Sequence, residues 1–201
     1  AKHIIKTSSL AGSRIESVSY REENDGLRLM TGSVYASLVP GNYVSLSASL
    51  ISKKALQRVG AFDEAIKGAE DRLLLLRLSV IGQFAYYRCV VAHKRVHENN
   101  LTHPRPISEF NRHKLMVLQK MIDDADIMKL SAMEEKRTRA ALIQQVWNML
   151  FAELRVGPKP FFRTLMYLIQ QRQLAAVCNP KYPLRAVLSY YRTKKKPQIA
   201  R

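Results

Sequence analysis

The chain has 201 residues, of which 47% are hydrophobic and 24% charged, an ordinary globular composition that permits a buried core and excludes a wholly disordered chain. It carries 33 Lys and Arg against 16 Asp and Glu, for a net charge of +17, so anionic partners are in reach: nucleic acid, anionic lipid or an acidic polymer. The longest leucine run, residues 73–76, ends at Arg77, far short of the ~20 apolar residues that span a bilayer.

The amino-terminal stretch AKHIIKTSSLAG is too weakly apolar for a signal peptide, and its KHIIKTSSL portion can form a strand. SRIESVSYREENDGLRLMTG is polar and reads as loop or short pieces. NYVSLSASLIS alternates and is rich in strand formers, so the pattern predicts a strand there. SKKALQRVG predicts a short helix, with Ser52 as its N-cap and Gly60 just past its end. GAFDEAIKGA is a turn-rich connection. EDRLLLLRLSVIG predicts a second helix, with Glu70 and Asp71 in the first turn, where the dipole favours acids, and Gly82 at the stop. QFAYYRCVVAHKRV predicts a strand and HENNLTHPRP a loop. Strands alternating with helices of these lengths argue for an α/β layer structure.

Beyond Pro104 and Pro106 the pattern becomes helical. Ser108 can cap a helix reaching about Lys129, within which Leu115, Leu118 and Met121 recur at core spacing; Asp123, Asp124 and Asp126 read as a solvated helix face or end. Ser131 with Glu134 forms a capping box for a helix to about Arg155. Gly157-Pro158 breaks it, Pro160 can open another helix, and KYPLRAVLSYYR a last one. Two segments follow: residues 1–104, mixed in structure, and residues 105–201, a basic α-helical extension. The first holds 14 Lys and Arg against 9 Asp and Glu, the second 19 against 7. Cys89 and Cys178 are too few and too far apart in sequence for a disulfide framework or a zinc site, so the reducing cytoplasm is the default compartment.

The chemistry concentrates between residues 50 and 102. A helix ends in Val59-Gly60, followed by Phe62-Asp63-Glu64. The acidic pair Glu70-Asp71 opens a helix that runs to Leu76-Arg77, and the next strand ends near Arg95 and His97. Order and spacing over about 50 residues resemble the acceptor-side signature of inverting family 2 glycosyltransferases of the GT-A fold. The resemblance implies a partial GT-A domain that moves a sugar from a nucleotide-sugar to a hydroxyl of a glycan or lipid-linked acceptor. Asp71 would be the general base. Glu70 would flank it toward the acceptor, and Asn42 would line the acceptor groove. His97 would touch the divalent metal (Mn²⁺ or Mg²⁺) or the donor phosphates. Phe62, Asp63 and Glu64 would fix turn geometry. The sequence departs from the family at Arg72, where an aromatic residue is usual, and at Leu73, where an acid is common.

The family's donor half ends in an Asp-x-Asp motif, and no such triplet precedes residue 40. The chain is therefore expected to be part of a longer enzyme, with the metal held mainly by residues outside it, or else a divergent or inactive homologue. Asp124-Ala125-Asp126 has the letters but lies beyond the signature. His93 and His97 on one strand would stand roughly 13 Å apart, too far for one ion. The setting implied is a bacterial surface-polysaccharide or lipopolysaccharide pathway, at the inner face of the membrane. The alternative reading is a basic helical module that binds nucleic acid or membrane without catalysis. Nucleic acid is the less favoured, since no zinc finger, helix-turn-helix or aromatic-rich single-strand signature is present. An anionic membrane surface suits the basic helices better.

Overall fold

A computed structural model describes residues 4–6, 18–23, 26–66, 68–87, 89–92, 94–96 and 107–178; side chains are described within 18–23, 26–66, 68–87, 89–92, 111–173 and 175–178. The described chain is mixed helix and sheet, and its strand pairs are antiparallel. Strand β1 (Ile4–Lys6) pairs with β5 (Lys94–Val96), Ile4 opposite Val96. Strands β2 (Tyr20–Glu22), β3 (Leu27–Met30) and β4 (Ala85–Tyr87) form the other sheet in that order. Gly26, at φ 79, precedes β3, and Arg28 of β3 lies over the Tyr20 ring, 4.4 Å from its centroid, across the β2–β3 pair. This antiparallel pair lies in the stretch read from sequence as loop.

The helices are α1 (Val34–Leu38), α2 (Lys53–Val59), α3 (Glu70–Ile81), α4 (Ile107–Asp123), α5 (Ala125–Met128), α6 (Ala132–Val156), α7 (Pro158–Gln170) and α8 (Leu174–Val177). Gly60 sits past the end of α2 at φ 76, as its position in sequence predicts. Ser52 is at the N-cap of α2, although its side chain makes no capping hydrogen bond. The capping box at α6 is complete: Ser131 Oγ accepts from the Glu134 N–H, and Glu134 Oε2 accepts from the Ser131 N–H.

Four expectations are corrected. NYVSLSASLIS is not a strand. Its centre is a single 3-10 turn, Leu46–Ala48. Ser45 and Ser47 share a hydroxyl–hydroxyl bond of 2.9 Å, and Ser49 Oγ donates to the Ser45 carbonyl at 2.7 Å. Local serine bonds of this kind compete with a sheet ladder. The strand expected over residues 83–96 is two strands in different sheets. The Cys89 N–H turns back to the Tyr87 carbonyl at 2.9 Å, which ends β4. The helix expected to reach Lys129 breaks at Asp124, and α7 opens at Pro158 rather than Pro160. The helix expected in KYPLRAVLSYYR lies outside the described residues.

One hydrophobic core gathers buried residues from both sequence segments: Met30, Tyr35, Leu38, Leu73 and Leu76 from the first, and Leu118, Met121, Val146 and Leu168 from the second. The change at 104/105 is thus one of composition and charge, while the described residues on either side pack together. Helix α3 is central. Its Leu73, Leu75 and Leu76 face this core, while Leu74 and Leu78 face a smaller cluster with Val59 of α2. Helices α4 and α6 lie along one another, and α7 folds back on α6. An ion pair ties α3 to the helical segment: Arg77 Nη2 to Asp124 Oδ2 at 2.8 Å, with only 12% and 16% of the side chains exposed. Asp124, expected on a solvated helix face, is therefore an internal partner. Among the described residues, no helix is long and apolar enough to cross a membrane.

Candidate active site

The site is built where the loop after α1 meets the start of α3. The apolar run Leu73–Leu76 drives α3 into the core, which fixes the position of its first turn. Ala69, at the N-cap, is itself buried. Glu70 and Asp71 follow on that turn, both half-buried.

Each carboxylate is held by short contacts. Glu70 Oε2 accepts the Gly68 N–H at 2.6 Å, folding back over the turn that enters the helix. Asp71 Oδ1 accepts the Arg72 N–H at 2.7 Å. Asp71 Oδ2 accepts from Asn42 Nδ2, also at 2.7 Å, across 29 residues of sequence. The orientation of the Asn42 amide follows from its other end. Asn42 Oδ1 accepts the Val44 N–H at 2.8 Å, so its NH₂ group is the end turned to Asp71.

Arg72 reinforces the same junction. It is buried, and its Nη2 donates to the Val39 carbonyl at the end of α1. The departure from the family pattern at this position thus has a structural role: the guanidinium ties the loop carrying Asn42 to the helix carrying Asp71. A single arginine heading four buried leucines was the sequence signal for such an inward contact.

An ionised carboxylate offers about four lone-pair positions. Two of those on Asp71 are taken by the Asn42 and Arg72 N–H groups. The remaining ones can accept the proton of a hydroxyl, from a carboxylate whose rotamer is fixed at both oxygens. Glu70 is tied to the Gly68 backbone through Oε2.

Asp63 behaves as expected of a turn residue, its Oδ1 accepting the Ala65 N–H at 3.1 Å and its carbonyl the Ile66 N–H at 3.0 Å. Phe62 and Glu64 are exposed beside it. His97 and His93 lie outside the described residues. Among those described, no three His, Cys, Asp or Glu side chains converge in a way that could hold a metal ion. Compared with protein-family models, with curated protein sequences and with solved structures, the chain matches none.

Proposed function

We propose that the chain is the acceptor-side part of an inverting GT-A glycosyltransferase, with Asp71 as its general base. The acceptor hydroxyl oxygen forms a bond to the anomeric carbon of the nucleotide-sugar. The bond from that carbon to the diphosphate oxygen breaks, and the nucleoside diphosphate leaves with the electron pair. The hydroxyl proton passes to Asp71. Asn42 holds the receiving carboxylate in position, and Glu70 fixes the turn beside it. The donor and its metal are bound mainly by residues outside this chain, and the acceptor is a glycan or lipid-linked sugar.

The observation that carries this reading is the Asn42–Asp71 hydrogen bond of 2.7 Å. It joins two residues that the sequence assigns separately to the acceptor side, and it orients a half-buried carboxylate at a helix start. A carboxylate serving only as a cap needs its own helix's N–H groups; the loop amide adds an orientation that capping does not require.

The test is Asp71→Asn in the full-length protein, assayed for sugar transfer. Loss of general-base catalysis costs roughly 10²–10⁴-fold, so turnover should fall at least about a hundredfold. Donor affinity and melting temperature should hardly move. Glu70→Gln should cost less. Near-normal turnover in Asp71→Asn would reduce Asp71 to a structural residue and end this reading.

A further inference from the structure

Helix α7 has more apolar surface than the core covers. Its inner face buries Thr164 and Leu168. On the other side Phe162, Met166 and Ile169 follow at helical spacing, 60%, 56% and 39% exposed, so they line one stripe of the helix. The last turn of α6 adds Leu154 and Val156, both exposed, on the other arm of the same corner. Lys159 and Arg163 are exposed along one edge of the α7 stripe.

The sequence here is basic: from Leu154 to its end there are 11 Lys and Arg and no Asp or Glu, and four of them, Arg155, Lys159, Arg163 and Arg172, are among the described residues, with Glu153 just before them. We infer that the outer face of α7 is a membrane-docking surface, with Phe162, Met166 and Ile169 entering the headgroup–acyl boundary of an anionic bilayer while Lys159 and Arg163 contact its phosphates. An amphipathic helix with a basic edge lies in that interface with its apolar face sunk ~5–10 Å, and basic residues beside it are drawn to anionic lipid. Nucleic acid would use the charge but leave the apolar stripe in water. A second copy, meeting the first through the same face about a two-fold axis, would cover the apolar stripe but offer Lys159 and Arg163 no carboxylate from α7, which has none.

The inference does not depend on Asp71, because vesicle binding is read without turnover. The experiment sediments the full chain with vesicles of phosphatidylglycerol and phosphatidylcholine, and with phosphatidylcholine alone. Binding should require the anionic lipid. Phe162→Ser with Met166→Ser removes the stripe at positions that the core does not use, and should lower the partition coefficient at least about tenfold. Phe162→Trp should bind as the parent does, and the fluorescence that its indole adds to that of Trp147 in the parent should be quenched by lipids brominated on the acyl chains. Three results would overturn the proposal: unchanged binding of the double variant, an unquenched indole in the bound protein, or equal binding to both vesicle types. A dimer seen by ultracentrifugation without lipid, and dissolved by the double substitution, would also overturn it by assigning the stripe to a second copy. If the double variant failed to fold, the quenching of Phe162→Trp would still decide.

Discussion

Helices α3 and α7 are almost the same length, 12 and 13 residues, and are packed in opposite ways. Helix α3 lies between two apolar clusters, so every position from Arg72 to Leu76 is buried and it has no solvent side along that stretch. Helix α7 buries one face and leaves an apolar stripe open. The lesson is that apolar side chains serve two ends here. In α3 they fix one position in space, and that position sets the first turn carrying Glu70 and Asp71. In α7 Phe161, Leu165, Tyr167 and Leu168 pack on the core, whereas Phe162, Met166 and Ile169 are left exposed, which is why these three call for an explanation outside the fold.

The comparison is broken or sharpened first by truncation. Leu76→Ala removes a side chain with no exposure at the centre of the core, and should destabilise by about 2–5 kcal/mol in urea unfolding. Leu168→Ala, on the buried face of α7, should fall in the same range. Met166→Ser, two positions away, should stay within about 0.5 kcal/mol of the parent. The distinction fails if Met166→Ser costs as much as Leu168→Ala, because α7 would then have a second buried face.

The next effect in size is the tie between the two segments. Arg77 and Asp124 are both largely buried, and Lys120 reaches the same carboxylate at 3.6 Å. Removing one partner leaves a partly desolvated charge behind. Asp124→Asn should therefore cost about 2 kcal/mol, between the values for exposed and fully buried pairs. A double-mutant cycle with Arg77→Met should return most of that as coupling. Additive single effects would mean that the pair does not hold α3 to the helical segment.

What could be read from the sequence follows the range of each interaction. Helices α2 and α3 and the capping box at Ser131 are set by residues within a few positions of one another, and they stand where propensity, the stops at Gly60 and Gly82 and, at Ser131 alone, side-chain capping put them. The serine-rich stretch misled because its alternation is strand-like, while its hydroxyls bond locally. The β2–β3 pair was hidden because its β2 side chains are exposed, leaving no apolar alternation to detect. At the candidate site, the family resemblance singles out Asp71, and Asn42 stands apart from the matched residues, ahead of the serine-rich stretch. Their contact across 29 residues, and the Arg72 clamp on Val39 beside it, depend on how α1 packs near α3. Local sequence can mark Arg72 as turned inward but contains no record of its partner or of the Asn42 contact.

The smallest effect concerns Tyr35, the most distant of these ties. Its hydroxyl lies 2.6 Å from Thr138 Oγ1, joining α1 to α6 across 103 residues of sequence. Thr138 Oγ1 also donates its single proton to the Glu134 carbonyl at 2.8 Å, so the proton between the two hydroxyls belongs to Tyr35. Burial pushes the Tyr35 phenol above the ordinary tyrosine value, because a phenolate in the core would lose its hydration. A folded-state value above the unfolded one gives stability that is fully present below the unfolded pKa, about 10. That stability is lost as pH rises through the folded value. Tyr35→Phe deletes both the hydrogen bond and the titration. At neutral pH it should cost about 1 kcal/mol in urea unfolding. Above about pH 10 the parent alone loses the Tyr35 contribution, so the difference between the two proteins should shrink as pH rises. Other tyrosines and lysines titrate equally in both and cancel in the difference. A gap that stays constant with pH would show that Tyr35 is not held as a buried donor, and that α1 meets α6 through packing alone.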